Sequence, residues 1–350
     1  MEHKQKYGQF YTTQYAYILQ NLYVPEKFEH IIEPFCGEGH MLNILDSTNN
    51  HTMEKYDIDP KMEGAVKRDT LQNPPIYKEK FVLTNPPYLA RNKSDNKEVF
   101  DKYDTNDLYK CFLKELLTNQ CVGGIIIIPL NFWSSVRASD IELRKNFLEV
   151  YKILHLNIFE EQVFDDTSYT VCSFQFEKRD SSNPTPIFTT IYPCKEQLKV
   201  LFQEENNYTF GGEIYNLPIN NNYSIARLTH KNMKKQNTHI VVKCIDDNEK
   251  SQIGLMMVDD NNIYIDNTPN LSARSYATLI IEPAISMKDQ EKLVDEFNHY
   301  LSIHRKKYHS LFLTNYRESK TIARKRISFD LVYNIVQYIL ETKIKPSSKE

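Results

Sequence analysis

Through residue 178 the chain alternates short β-rich runs with helix-length segments. The runs are 29–35 (EHIIEPF), 53–58, 81–84 (FVLT), 124–128 (GIIII), 153–158 and 170–176. Over 107–120, Leu108, Phe112, Leu113, Leu116 and Leu117 recur at helical spacing, which predicts an amphipathic helix. Such alternation predicts an α/β fold with a mostly parallel twisted sheet, in which ligands bind beyond the carboxyl ends of the strands. The stretch 179–185 (RDSSNPT) is polar and lacks apolar periodicity, so it reads as a linker. Beyond it the pattern is mixed: strand-like 186–192, 239–245 and 262–265, then helical segments near 286–305 and 328–342. In the last of these, Leu331, Val332, Ile335 and Ile339 have core spacing. The expected division is therefore 1–178 and 179–350. The polar loop 89–106 is long for a compact domain, which makes it a lid or a disordered segment.

The length of 350 residues exceeds what one core usually organises, and 41% hydrophobic, 25% charged and 12% aromatic residues exclude a disordered chain. Six cysteines show no CxxC pair, which argues against a zinc ribbon or disulfide framework and for a reducing compartment. The amino terminus lacks a signal-peptide core, and the longest aliphatic run, Ile125 to Ile128, is too short to span a bilayer. A soluble, cytoplasmic protein without membrane attachment is expected. The net charge of −3 is uneven: residues 1–180 carry 21 Lys+Arg against 27 Asp+Glu, and residues 181–350 carry 22 against 19. Arg305, Lys306, Lys307, Arg317, Lys320, Arg324, Lys325 and Arg326 face only Glu318 across 301–328. The second half is thus the better partner for a polyanion.

Two of only nine glycines fall together in Glu33-Pro34-Phe35-Cys36-Gly37-Glu38-Gly39, directly after the first strand-like run. Such a turn lets backbone N–H groups approach a ligand closely. The next run ends in Tyr56-Asp57-Ile58-Asp59-Pro60, where an acid is placed for the hydroxyls of a cofactor ribose. Asp57 is the ligand candidate, and Asp59 reads as a turn or cap residue. Thr84-Asn85-Pro86-Pro87-Tyr88 follows the strand 81–84. Consecutive prolines stiffen that turn and remove donors. The Asn85 side chain and the Pro86 carbonyl then make a pair of acceptors for an exocyclic amine, with Tyr88 able to stack on the attached ring.

With Gly8-Gln9-Phe10-Tyr11-Thr12 and Asp69-Thr70-Leu71, these motifs form an ordered set. The set resembles the γ class of S-adenosylmethionine-dependent DNA adenine N6-methyltransferases, over roughly residues 6–178. The segment from Val163-Phe164-Asp165 to Phe176 looks like that family's late base-pocket region. The resemblance implies a Rossmann-like methyltransferase core followed by a C-terminal mixed α+β target-recognition domain. It implies S-adenosylmethionine held by Tyr11, Thr12, Glu33, Phe35, Cys36, Gly37, Gly39, Asp57, Ile58, Asp69 and Asn85. Asn85 and Pro86 would hold the target amine, and Tyr88 and Phe164 would sandwich the flipped base. Arg317, Lys320, Arg324, Lys325 and Arg326 would contact DNA. The expected partner is double-stranded DNA, with a restriction endonuclease acting separately and the enzyme itself monomeric. Thr13 stands where the family often has proline, which puts the helix entry there in doubt.

Other readings share parts of this set. Cytosine C5 methylation needs a cysteine nucleophile, and Pro193-Cys194 lies far downstream of the Asn-Pro-Pro-Tyr turn, so it reads as coincidence. Cytosine N4, RNA adenine N6 and protein glutamine N5 each offer an amine or amide nitrogen to the same acceptors. A catalytically silent DNA-binding subunit would have no use for both a cofactor site and an amine site.

Overall fold

The computed structural model describes residues 12–45, 51–164, 169–181, 183–248, 250–266, 276–316 and 324–344, with backbone alone for Asn315, Tyr316 and Arg324. The chain forms two compact units, the first running to Gln203 and the second comprising Glu204–Tyr316 and the segment from Arg324 onward.

In the first unit, β1 (His30–Glu33), β2 (Thr52–Asp57), β3 (Val66–Lys67), β4 (Phe81–Thr84), β5 (Gly123–Pro129), β6 (Tyr151–Phe159), β7 (Val171–Lys178), β8 (Ile187–Tyr192) and β9 (Glu196–Val200) make one sheet. Its order is β3-β2-β1-β4-β5-β7-β6-β8-β9. The pairs β1–β2, β2–β3, β1–β4, β4–β5 and β6–β8 are parallel. Strand β7 runs against both β5 and β6, and β9 against β8. The carboxyl ends of β1, β2, β4, β5, β6 and β8 therefore share one edge. The chain order reverses around β1, between β2 and β4, and opens a crevice there.

Helices α1 (Tyr15–Ile18), α2 (Glu98–Tyr103), α3 (Leu108–Thr118), α4 (Asn131–Ser134) and α5 (Ala138–Val150) connect these strands. Helix α3 buries Phe112, Leu113 and Leu116 completely, the stripe its periodicity predicts. All of β5 is buried. A Cβ on its Gly124 would stand 2.6 Å from the Val82 carbonyl oxygen, so β4 and β5 approach closely only because that position is glycine.

The second unit holds an antiparallel sheet of β10 (Ser224–Arg227), β11 (Ile240–Lys243), β12 (Gly254–Met257) and β13 (Tyr276–Glu282), in the order β10-β13-β11-β12. Helix α6 (Met287–Tyr308), the pair β14 (Thr314–Tyr316) and β15 (Arg324–Arg326), and helix α7 (Phe329–Thr342) complete it. Ser286 and Ser328 cap the two helices, each accepting from a backbone N–H in the first turn. Leu331, Val332, Ile335 and Ile339 are all buried, as their spacing predicts.

Several expectations change. The first unit does not end at 178: β8 pairs in parallel with β6, and β9 follows on β8, so the polar stretch near 179–185 connects two strands of one sheet. Residues 262–265 contain no strand. After β1 the described chain makes a 3-10 turn, His40–Ile44, in place of a long helix. Loop 89–106 folds onto itself: Arg91 N–H donates to the Asn106 carbonyl, Leu108 N–H to that of Leu89, and Arg91 pairs with Asp101 at 2.5 Å. Among the described residues, no helix is long and apolar enough to cross a membrane.

Candidate active site

Residues from the ends of β1, β2 and β4 line one cavity of about 340 Å³, within the range of small-molecule sites. Thr12, Glu33, Phe35, Cys36, Gly37, Asp57, Ile58, Asp69 and Asn85 are in its wall. Tyr11 lies outside the described residues. Gly39 is not in the wall; it shapes the turn. Its φ is +79°, and a Cβ there would meet Met62 Sδ at 2.5 Å. Gly37, at φ +49°, donates its N–H to Asp57 Oδ2 at 2.8 Å.

Asp57 is 4% exposed, and its Oδ1 accepts from Asp59 N–H at 2.8 Å. Asp59, by contrast, pairs with Lys61 at 2.8 Å on the surface. Asp69 Oδ1 accepts from Leu71 and Gln72 N–H, and Thr70 Oγ1 donates to the Pro34 carbonyl at 3.0 Å. These bonds tie the segment after β3 to the glycine turn. Phe35 meets Phe112 edge to face at 5.1 Å and anchors the apolar floor.

Glu33 is 1% exposed, and its Oε2 has no hydrogen-bond partner among the described residues. Burial, reinforced by Asp57, holds its carboxyl well above the usual range. The same burial, with Glu33 and Asp57 nearby, pushes the Cys36 thiol up to about 12, so Cys36 stays protonated and is no nucleophile. S-adenosylmethionine is positively charged at its ammonium and its sulfonium. An unmatched buried carboxyl beside a second acid suits a cation, so the residues present fit that cofactor.

The target side is arranged differently. Asn85 Nδ2 donates to Thr12 Oγ1 at 3.2 Å, and the Tyr88 hydroxyl donates to Asn85 Oδ1. That hydroxyl also lies 2.9 Å from the Ile127 carbonyl oxygen. The Tyr88 ring is 2% exposed and meets Tyr109 and Tyr169 edge to face. Phe164 is 3% exposed. Neither Tyr88 nor Phe164 lines the cavity, and Pro87 rather than Pro86 does. Both rings are buried, and a buried phenol needs polar partners, which Tyr88 finds at Asn85 and Ile127.

Part of loop 89–106, including Lys93, Ser94, Asp95 and Asn96, also lines the cavity, as do Arg68 and Gln72. The length and polarity of the loop flagged it in the sequence, whereas nothing in the sequence singled out Arg68. In the second unit the expected basic surface breaks up. Lys325 is 3% exposed, and its carbonyl accepts from Asp246 N–H within the packed strands. Arg305 makes a two-pronged bond to Asp247, and Lys307 pairs with Glu213. Arg326 is half-buried, and Arg317 and Lys320 lie outside the described residues, as does the Arg324 side chain. Exposed cations stand instead at Lys231 and Lys234, between β10 and β11, beside Lys235, which pairs with Glu282 at 3.3 Å.

Comparison with known proteins gives the same picture of the first unit. The family model described as Eco57I restriction-modification methylase matches residues 20–164. The type II methyltransferase M.AccI of Acinetobacter calcoaceticus is 26% identical over 230 residues, 57% of this chain. This chain spans 42% of that relative's length. A type I restriction-modification methyltransferase subunit from Streptococcus thermophilus is 17% identical, with 53% of this chain and 48% of that one covered and a TM-score of 0.38. The DrdV–DNA complex is 13% identical, with 69% and 35% covered and a TM-score of 0.43. Residues 20–164 thus match the Eco57I restriction-modification methylase family, and the match implies S-adenosylmethionine as the cofactor of this cavity.

Proposed function

We propose that this chain is a site-specific DNA methyltransferase that modifies the exocyclic N6 of a flipped adenine. The observation that carries this reading is the bond from Asn85 to Thr12. It joins the amide at the end of β4 to a wall residue of the cavity that holds Glu33 and Asp57. An amine acceptor and a cofactor site are thereby built as one unit.

Asp57 would hold the ribose, Asp69 the adenine amino group and Glu33 the charged end of the cofactor. Bound S-adenosylmethionine supplies an activated methyl group, so the protein's task is placement more than acid-base chemistry. Asn85 Oδ1 accepts one N–H of the target amine, the Pro86 carbonyl accepts the other, and both turn the nitrogen lone pair toward the methyl. Asn85 and Pro86 would hold the amine in line while the cofactor supplies the methyl and keeps the electron pair of its carbon–sulfur bond on sulfur. The nitrogen then loses a proton to solvent.

Extruding a base costs a few kcal/mol, and here it also displaces the Tyr88 hydroxyl from Asn85 Oδ1. Tyr88 is then released to stack on the base, with Phe164 on the other face. The second unit is the target-recognition domain, with double-stranded DNA as partner. The exposed turn carrying Lys231, Lys234 and Lys235 supplies phosphate contacts there, which gives binding a steep salt dependence.

The test is transfer of labelled methyl from S-adenosylmethionine to mixed-sequence duplex DNA, followed by nucleoside analysis. Label in N6-methyladenine is expected. Label in N4-methylcytosine would overturn the base, and label only in RNA or protein would overturn the substrate. An affinity for DNA that ignores salt would remove the lysine turn from the interface.

A further inference from the structure

Polar side chains are unexpected in the middle of a sheet covered on both faces, because each must find a partner there. Yet a polar row crosses the centre of this one. Ser173 on β7 pairs in register with Ile127 on β5 and Asn157 on β6, and Asn157 pairs with Thr190 on β8. Two residues along β7, on the same face, stands Gln175. Asn157 and Ser173 are wholly buried, and Gln175 is 1% exposed.

Their partners are backbone groups of one short segment. Asn157 Nδ2 donates to the Gln20 carbonyl at 2.6 Å, and Ser173 Oγ donates to the Ile18 carbonyl at 2.5 Å. Gln175 Oε1 accepts from Tyr23 N–H at 3.2 Å. Asn157 and Ser173 also bond each other at 3.3 Å. The segment so held begins with α1, which has only four residues, and neither of its caps has a side-chain hydrogen bond. A helix that short has little stability of its own. Three residues before it is Thr12, 3% exposed, which accepts the Asn85 amide and lines the cavity.

We propose that Asn157, Ser173 and Gln175 are positioning residues that fix the segment Ile18–Tyr23, and through it set Thr12 against Asn85 and the cofactor. The proposal rests on the reading of the cavity as the S-adenosylmethionine site. The row acts at a distance: its side chains grip carbonyl and N–H groups of a nearly unwound segment, and that grip is transmitted through α1 to Thr12. A row whose only purpose was sheet stability would be better made of valine and isoleucine, as β5 is. Ile127 continues the row on β5, and its carbonyl meets the Tyr88 hydroxyl. The same row therefore abuts both the residue behind the cofactor and the residue behind the target amine.

The experiment is equilibrium binding of S-adenosylhomocysteine to the full chain, with thermal unfolding measured on the same samples. Ser173→Ala removes one anchor with little change in volume, and Gln175→Leu removes another. The pair is expected to weaken binding about tenfold or more, since buried carbonyl and N–H groups lose their partners. Ser173→Thr, which keeps the hydroxyl donor, is expected to bind like the parent. Should Gln175→Leu fail to fold, Ser173→Ala alone with its Thr counterpart decides the point. Hydrogen exchange at residues 18–23 should quicken in the weakened variants while exchange in β4 and β5 does not. Unchanged affinity in a folded Ser173→Ala, or weakening that Ser173→Thr does not restore, would overturn the proposal. A parent chain that binds no S-adenosylhomocysteine would overturn the reading of the cavity and this proposal together. A parent that binds it but methylates no DNA would overturn only the choice of substrate.

Discussion

The cofactor side and the target side of the cavity are built on opposite plans. On the cofactor side, Glu33, Asp57 and Asp69 line the cavity, and Asp57 and Asp69 are oriented by backbone bonds from Gly37, Asp59, Leu71 and Gln72. Glu33 Oε2 is buried there without a hydrogen-bond partner among the described residues. On the target side the side chains at the end of β4 are matched locally: Asn85 to Thr12, and Tyr88 to Asn85 and the Ile127 carbonyl. The first side is preorganised for its ligand, which lowers the ordering cost of binding. The second holds a closed arrangement, which under the proposed function a flipped base would have to open.

Asn85→Ala should break that comparison most severely. The target amine would lose its side-chain acceptor, so methyl transfer should become undetectable, while S-adenosylhomocysteine affinity should fall no more than about threefold for the loss of one exposed-side hydrogen bond. Loss of affinity with transfer intact would place Asn85 on the cofactor side. Asp57→Ala is the complementary change. It should weaken cofactor binding by about tenfold to a hundredfold, with much of the transfer rate regained at saturating cofactor. A variant whose rate stays low at saturation would show that Asp57 acts on the reaction itself.

The cofactor side was the more legible in the sequence, for a physical reason. Its residues Glu33 and Asp57 sit at the ends of neighbouring parallel strands, so topology alone brings them to one edge once the strands are recognised. What stayed hidden depends on contacts between residues far apart in the chain. Lys307 loses its free charge to Glu213, 94 positions away, and Arg305 to Asp247, 58 positions away. No local pattern marks such pairs. Strands β8 and β9 read as the start of another domain because a polar connection looks alike whether it joins two domains or two strands of one sheet. Residue type shows that the Tyr88 ring can stack, but not that its hydroxyl meets Asn85 and the Ile127 carbonyl.

Tyr88→Phe tests the closed arrangement with a smaller expected effect. The ring is kept for stacking, and the hydroxyl that occupies Asn85 Oδ1 is removed. Transfer should stay within about threefold of the parent, with a lower KM for duplex DNA, because a single neutral hydrogen bond is worth about 1 kcal/mol. Tyr88→Ala should lose more, since base stacking is worth about 1–3 kcal/mol. If Phe slows transfer as much as Ala, the hydroxyl does more than close the site.

The smallest expected effect concerns a carboxyl at the foot of the target side. Asp107 begins α3 beside Leu89, and its Oδ1 is buried without a partner among the described residues. Burial pushes its carboxyl up to about 6, against the pull of Lys110 and of the backbone N–H groups of Leu89, Leu108 and Tyr109. A carboxyl raised on folding binds more protons in the folded chain than in the unfolded one. The contribution of Asp107 to stability is therefore fully present below about pH 4 and is lost as pH rises through about 6. Asp107→Asn keeps the shape of the side chain and removes the charge. The variant should match its parent near pH 4 and exceed it near pH 8 by about 1–2 kcal/mol in denaturant unfolding, a figure reduced for the partial exposure of the residue. An advantage of equal size at both pH values would mean that packing, and not ionisation, separates the two. A deficit at pH 8 would mean that the Asp107 charge is matched in the folded protein after all, and that the target side holds no strained acid.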